Sequence, residues 1–183
     1  MINKKNVLVF PGAFQSVKNY GNYEGIDIWL KSHFKEKIPT SDYVIAHSAG
    51  AIFALTLFDH FQGCKLILIN PPIKKRNIFN LSIRWIKFLI LEGIKREKVV
   101  PVVNWIYGLK KLFKLLRIDT LEIIKKIPKD NLVIIKGKKD NFFCDKESAE
   151  IIKNNNIILI EVEAGHDWNE KIAEVVNELI SRN

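Results

Sequence analysis

Three side chains that could cooperate in nucleophilic chemistry lie far apart along the sequence, at Ser48, Asp140 and His166. A serine hydroxyl is a weak nucleophile by itself, so it requires a base that takes its proton. An imidazole can be that base when a carboxylate fixes its tautomer and stabilises its cation. The three residue types therefore predict attack on a carbonyl carbon, provided that the fold brings them together.

The elements that must position these side chains are short apolar runs. Runs typical of buried strands lie at residues 42–46, 132–136 and 157–162, and one of the three side chains follows each of them. Two further runs lie at residues 7–10 and 65–70. Because parallel strands end at one edge of a sheet, we expect the three side chains to meet at that edge.

Helical periodicity separates these runs, at residues 23–37, 49–61, 146–154 and 169–182. This alternation is typical of an α/β fold with a parallel sheet, and 183 residues suffice for one domain. If consecutive strands are neighbours, right-handed crossovers place their helices on one face. We therefore expect a partly uncovered sheet face, which either forms a homodimer or is screened by the first helix or the cap described next.

Residues 73–128 interrupt the alternation between the third and fourth strands. The segment is rich in Ile, Leu, Trp, Phe and Lys, and we interpret it as two or three helices that cap the C-terminal edge of the sheet. Residues 102–117 have the pattern of an amphipathic helix. The aromatic residues suggest a hydrophobic pocket, with packing of the cap on the core as the alternative for each of them. The candidate pocket residues are Phe14, Trp85, Trp105 and Tyr107.

Three motifs resemble those of the α/β-hydrolase superfamily. Residues 46–50 (AHSAG) resemble the G-x-S-x-G nucleophile elbow, with Ala46 in place of the first glycine. Residues 134–140 (IIKGKKD) are similar to the strand-Gly-x-x-Asp segment of the family, and residues 164–167 (AGHD) to its Gly-His before the last helix. The resemblance implies a reduced α/β-hydrolase fold with about five parallel strands.

The same resemblance implies a role for each catalytic side chain: Ser48 as nucleophile, His166 as base and Asp140 as acid. Asp145 is the rival acid, although its position before residue 146 favours a helix cap with Ser148. The resemblance also implies an oxyanion hole built from two backbone N–H groups. One belongs to Ala49, and the other comes from the loop after the first strand, from Ala13 or Phe14.

Charge and composition bear on partners and location. The net charge is +9, and residues 74–126 hold 14 of the 29 Lys and Arg but only 4 of the 20 Asp and Glu. This distribution predicts peripheral contact with an anionic membrane, or a solvated lysine-rich face, and disfavours nucleic acid as a partner. Cys64 and Cys144 lack metal-ligand spacing, so neither a metal nor a cofactor is expected. We expect a cytoplasmic protein without a targeting segment.

Two functions remain open at this point. The first is a serine hydrolase that cleaves a hydrophobic acyl ester or thioester through an acyl-enzyme on Ser48. The second is an interaction protein on a hydrolase scaffold, whose basic cap binds a membrane surface or an acidic partner.

Overall fold

The computed structural model describes residues 5–31, 38–61, 63–75, 77–92 and 99–182. Its strands are β1 (Val7–Phe10), β2 (Glu24–Gly25), β3 (Tyr43–His47), β4 (Lys65–Ile69), β5 (Leu132–Gly137) and β6 (Ile158–Val162). Its α-helices are α1 (Ala49–Thr56), α2 (Ile78–Leu91), α3 (Trp105–Leu115), α4 (Thr120–Ile124), α5 (Lys146–Asn154) and α6 (Glu170–Ser181). The predicted α/β fold with a parallel sheet is confirmed.

The six strands form one parallel sheet in the order β2-β1-β3-β4-β5-β6. Apart from β2 at the edge, neighbours in the chain are neighbours in the sheet. The carboxyl ends of β3, β5 and β6 consequently lie along one edge. That arrangement is what allows residues more than a hundred positions apart to meet.

The sixth strand lies where the sequence predicts a helix over residues 23–37. Glu24 and Gly25 pair with β1, and the N–H of Ile26 donates to the carbonyl of Val9 over 3.0 Å. The carboxylate of Asp27 accepts the N–H of Val17 over 2.6 Å. The helix prediction is wrong for residues 23–31, because these long-range hydrogen bonds outweigh helical spacing of apolar residues. Residues 32–37 lie outside the described ranges.

One face of the sheet is covered by α1 and by cap helices. A single hydrophobic cluster joins residues of β1, β3, β4 and β5 to α1 and to the cap. Helix α1 is buried along most of its length and ends at Thr56, before a 3₁₀ turn over Phe58–Phe61. The predicted helix over residues 49–61 is therefore shorter than expected.

The opposite face is covered by α6, by Trp168 and by the 3₁₀ turn Val17–Tyr20 that follows β1. Its central side chains are fully buried, namely Val9, Ile45, Ile67 and Ile135. The expected uncovered face is thus not found at these strands, because the turn Val17–Tyr20 and Trp168 cover them together with α6. Homodimer formation stays a prediction.

The insertion between β4 and β5 contains α2, α3 and α4. The predicted helix over residues 102–117 corresponds to α3, preceded by the 3₁₀ turn Val102–Asn104. Leu81 and Phe88 of α2 pack against Phe143, which follows β5. Within the described ranges, every helix is too short or too polar to cross a membrane.

Candidate active site

Ser48 stands at the sharp turn between β3 and α1. Its backbone has φ 51° and ψ −121°, a conformation that a residue other than glycine adopts at a cost of about 1–3 kcal/mol. The N–H of Ser48 donates to the carbonyl of Ile69 over 2.8 Å, which holds the turn against β4. A strained strand-to-helix turn of this kind holds its serine at the carboxyl end of the sheet.

Gly50 permits this turn because α1 passes close to the end of β1. A Cβ at this position would lie 2.5 Å from the carbonyl oxygen of Phe10 and would also collide with the carbonyl oxygen of Pro11. Ala46, on the other side of the serine, is fully buried in the hydrophobic cluster beside β1 and β4. The extra methyl group at this position therefore fits within the core.

Ser48, His166 and Asp140 form a continuous chain of hydrogen bonds. The Oγ of Ser48 lies 2.9 Å from Nε2 of His166, and Nδ1 of His166 lies 2.7 Å from Oδ2 of Asp140. All three side chains are buried. The structure thus brings together the three residues that the sequence places at separate strand ends.

Asp140 is held as a carboxylate. Its Oδ1 accepts the N–H groups of Phe142 and Phe143 over 2.9 and 3.1 Å, and its Oδ2 accepts that of Cys144 over 3.1 Å. Burial alone raises the pKa of Asp140, but the charge and hydrogen bond of His166 and these N–H donors outweigh burial. The pKa of Asp140 is therefore held well below its ordinary value.

The ionised carboxylate fixes the tautomer of His166. A carboxylate only accepts hydrogen bonds, so Nδ1 of His166 carries the proton and Nε2 is free to accept from the Ser48 hydroxyl. Burial lowers the pKa of His166, but the charge of Asp140 and its hydrogen bond raise it above the ordinary value. This arrangement can take a proton from Ser48 and stabilise the resulting imidazolium.

The backbone of His166 is tied down by two residues from neighbouring strand ends. Nδ2 of Asn70 donates to the carbonyl of His166 over 2.7 Å, while its Oδ1 accepts the N–H of Gly137 over 2.8 Å. Nε2 of His47 also contacts the carbonyl of His166, over 2.9 Å. Both side chains are buried, so the loop that carries His166 is fixed from below.

A buried polar network supports His47. Because a carbonyl only accepts, Nε2 of His47 carries its proton. Nδ1 of His47 lies 2.6 Å from the Tyr20 hydroxyl, which donates to Oε1 of Gln15, also over 2.6 Å. Burial and the neighbouring charge of His166 lower the pKa of His47 to about 4, so this ring is neutral near pH 7. The amide of Gln15 continues the network from the Tyr20 hydroxyl to the carboxylate of Asp167.

Sequence reasoning missed Gln15, Tyr20 and Asn70. A single signal pointed to one of them, since Asn70 follows a strand at the same edge as Ser48. Tyr20 lay in a segment without any recognisable pattern. Asp145, by contrast, has the expected role, because it caps α5 by accepting the N–H of Ser148 over 3.1 Å.

The two N–H groups proposed for an oxyanion hole flank Ser48. Ala13 and Ala49 both line the cavity at Ser48. The ring of Phe14 is buried in the core and its carbonyl accepts the N–H of Val100 over 2.8 Å. Ala13, unlike Phe14, lines that cavity, so Ala13 stays the predicted second donor.

An apolar cavity of about 200 Å³ leads to Ser48 between α2 and α3. Trp85 and Ile86 of α2 form one wall, and Leu109 and Phe113 of α3 form the other. Phe143 closes the side toward the His166 ring, 4.7 Å away between ring centroids. An acyl group placed here would have its carbonyl beside the Ser48 hydroxyl.

The predicted pocket residues divide into two groups. Trp85 lines the cavity, whereas Phe14, Trp105 and Tyr107 are absent from its walls. The Phe14 ring stacks on Trp29 and contacts Trp85 and Trp105, so it supports the cavity from behind. Among the described residues, no group of three His, Cys, Asp or Glu side chains could hold a metal ion.

Among known proteins, the chain is similar to solved structures. No protein-family model matches the chain, and no protein of curated function matches its sequence. The chain is similar to MGS-MChE2, an α/β hydrolase from a lagoon-sediment metagenome, at 16% identity and TM-score 0.56, over 96% of this chain and 88% of that chain. It is also similar to a mutant of the meta-cleavage product hydrolase CumD, at 12% identity and TM-score 0.58. This match covers 98% of this chain and 92% of that chain.

A third similar structure is an esterase from Pyrococcus furiosus, at 24% identity and TM-score 0.47. This match covers 84% of the chain but only 57% of that esterase. The two longer matches cover nearly all of this chain at low identity. The protein therefore has an α/β-hydrolase fold, as its three motifs predict.

Proposed function

We propose that this protein is a serine hydrolase of the carboxylesterase or thioesterase type. The observation that carries the proposal is the buried hydrogen-bond chain from Ser48 through His166 to Asp140. A hydroxyl, a base in the correct tautomer and an ionised carboxylate are the groups that acyl transfer requires. The strained backbone of Ser48 further supports the proposal, because such strain concentrates at functional sites.

In the acylation step, Oγ of Ser48 attacks the carbonyl carbon while Nε2 of His166 takes the hydroxyl proton. The negative charge that develops on the carbonyl oxygen is stabilised by the N–H groups of Ala49 and Ala13. Ala49 begins α1, whose positive end favours that charge. Collapse of the tetrahedral intermediate breaks the bond to the leaving group, which receives the proton from His166.

In the deacylation step, water attacks the acyl-enzyme while His166 takes a proton from it. The acid product leaves when the bond between its carbonyl carbon and Ser48 Oγ breaks, and the proton returns to Ser48. Asp140 remains ionised throughout and stabilises the imidazolium in both steps. The reaction needs no cofactor for its atoms and charges to balance.

The cavity supports a hydrophobic acyl group as the substrate. Its volume of about 200 Å³ lies below the ~300–1,000 Å³ of sites for drug-sized ligands. The side chains along both walls are mostly apolar, and Ser48 lines the same cavity. We therefore infer a substrate whose reacting end is a compact hydrophobic acyl ester or thioester.

Labelling with a fluorophosphonate probe, followed by mass spectrometry of the modified peptide, tests the proposal. We expect the label on Ser48 and its loss in Ser48→Ala. Ser82 lies on the cavity wall, so Ser82→Ala is the matched control and should retain the label. A folded protein that stays unlabelled would contradict the mechanism and favour the alternative, an interaction protein on a hydrolase scaffold.

A further inference from the structure

The outer surface of the cap is unusually apolar for a protein surface. All exposed large hydrophobic side chains of the described residues lie between positions 79 and 113, with Ile158 as the single exception. Val103 is 85% exposed, Ile90 75%, and Val102, Ile106 and Leu91 are each 72% exposed. Contiguous apolar surface of this kind usually marks a binding interface.

The exposed residues form two ordered stripes. On α2 the stripe consists of Phe79, Ile83, Ile86 and Ile90, and along α3 and its preceding turn it consists of Val102, Ile106, Leu109 and Phe113. Both sets have the spacing i, i+4, i+7, i+11, which places their members on one face of a helix. Each stripe is therefore a continuous apolar ridge.

Core packing of the cap does not account for these stripes. The inward face of α2 is formed by other residues, Leu81, Trp85 and Phe88, which pack against the core or against Phe143. Leu112 and Leu115 play the same part on α3. Each cap helix is thus apolar on two faces, although one face would suffice for attachment to the domain.

The two stripes meet at the entrance to the site. Ile86 from one stripe and Leu109 and Phe113 from the other also line the cavity that leads to Ser48. The exposed ridges therefore flank the mouth of the cavity rather than some remote part of the surface. A molecule that covers them would present its own apolar part to that mouth.

Charge indicates what covers the stripes. Exposed lysines directly follow stripe residues, as Lys87 follows Ile86, Lys110 follows Leu109 and Lys114 follows Phe113. A step of one residue turns by about 100° around a helix, so these lysines border the ridges. Apolar ridges bordered by lysines match the boundary between acyl chains and anionic headgroups of a lipid bilayer.

We propose that the cap docks on the surface of an anionic lipid bilayer, with the mouth of the cavity facing the lipid. The stripes enter the acyl boundary, and the bordering lysines contact the headgroups. If the protein is the serine hydrolase proposed above, its substrate is then an acyl ester that reaches Ser48 directly from the bilayer. Docking itself does not depend on that activity.

Co-sedimentation of the full chain with vesicles tests the docking. Vesicles of phosphatidylcholine alone are compared with an equimolar mixture of phosphatidylcholine and phosphatidylglycerol, at low and high salt. We expect binding to the anionic vesicles that weakens as salt rises, because exposed charges are screened. Ser48→Ala should bind as well as the unaltered protein, so docking and hydrolysis are tested separately.

Paired variants locate the surface. Ile90→Asn combined with Ile106→Asn removes two stripe residues that are absent from the cavity walls, and Ile158→Asn is the exposed apolar control on β6. We expect the double variant to lower the partition coefficient about tenfold. The control variant should leave the partition coefficient unchanged, and thermal melts should show that all variants fold.

Lys87→Gln combined with Lys110→Gln should lower partition on anionic vesicles about tenfold, with little effect on neutral ones. Lys18→Gln combined with Lys171→Gln is the control with the same change of charge, outside the cap. Equal effects of both pairs would overturn the proposal, as would an absence of vesicle binding. The protein could instead form a dimer in solution without binding vesicles, and the apolar variants could abolish that dimer. This result would assign the stripes to contact with a second copy of the chain and would also overturn the docking proposal.

Discussion

The carboxyl edge of the sheet and the cap differ in how they treat side chains. At the strand edge, polar groups such as Asp140, His166 and Asn70 are buried, and no buried side-chain nitrogen or oxygen of the described residues lacks a hydrogen-bond partner. At the cap, large apolar groups such as Ile90 and Ile106 are exposed. Solvation alone favours the opposite in both regions: it favours exposure of polar side chains and burial of apolar ones.

This difference separates two tasks. Polar groups in a water-poor site keep their geometry because each has several partners, and changing one of them leaves others buried and unpaired. Exposed apolar groups have no such constraint, so they can change with little effect on folding. We expect substitutions at the strand edge to affect the chemical step or the fold, and substitutions at the cap to affect what is bound.

The largest expected effect belongs to Asp140→Asn. An amide in this position no longer fixes the tautomer of His166 or stabilises its cation, so kcat should fall about 10⁴-fold on a soluble ester. The rate of hydrolysis of a chromogenic ester measures the loss.

Asp145→Asn is the matched control, because Asp145 caps α5 and pairs with Arg84 instead of contacting His166. It should cost less than about 1 kcal/mol of stability, because asparagine caps helices about as well as aspartate and a partly exposed ion pair contributes little. It should leave kcat within a few-fold. Similar losses of kcat in both variants would remove the distinction between the triad acid and its neighbour.

Gly50→Ala should damage the fold of the elbow. The added methyl group would collide with backbone carbonyls of Phe10 and Pro11, which cannot move without displacing β1. We expect a loss of about 3 kcal/mol in the free energy of unfolding, measured by chemical denaturation. Gly63→Ala, at a positive φ with open space around it, should cost about 1 kcal/mol. Equal losses in the free energy of unfolding would show that the backbone around Gly50 shifts to accommodate the added methyl group.

The value of kcat/KM should fall toward acid pH, and the midpoint of this acid limb should lie above pH 6.5. His166 must be neutral to take a proton, and the charge and hydrogen bond of Asp140 raise its pKa above 6.5 despite burial. Activity therefore falls about tenfold per pH unit below that raised pKa.

Asp167→Asn sharpens this test. Asp167 also raises the pKa of His166, so its neutralisation should move the acid limb toward lower pH. A limb at or below pH 6.5 in the unaltered protein, or a shift to higher pH in the variant, would contradict the assignment of the limb to His166.

The smallest expected effect belongs to Phe113→Ser at the cap. Phe113 lines the cavity while it is 43% exposed, so it contributes part of its area to binding an acyl group. We expect KM for a hydrophobic ester to rise a few-fold with kcat little changed. Phe79→Ser, on the same surface but away from the cavity, should leave KM for a soluble ester unaltered. A fall in kcat of Phe113→Ser comparable to that of Asp140→Asn would contradict the distinction between a strand edge that performs the chemical step and a cap that binds.

Five of the six strands could be predicted from short apolar runs, because a strand buried on both faces must be apolar throughout. β2 could not, since Glu24 and Gly25 become a strand only through pairing with β1. The same limit applies to the cover of the second sheet face. Tyr20 packs on that face and contacts His47. No local pattern in the sequence around Tyr20 predicts either contact.

The reactive side chains could be identified from local sequence: Ser48 has Ala46 and Gly50 two residues away on either side, and Asp140 and His166 follow apolar runs. Local sequence suffices there, because turns and strand ends depend on the residues beside them. By contrast, the bonds that Asn70 and His47 make to the carbonyl of His166 arise only from the folded arrangement, and so does the exposure of the apolar ridges on the cap helices. Such facts depend on contacts between distant residues, and a helix apolar on two faces does not reveal from its sequence which face the core will cover.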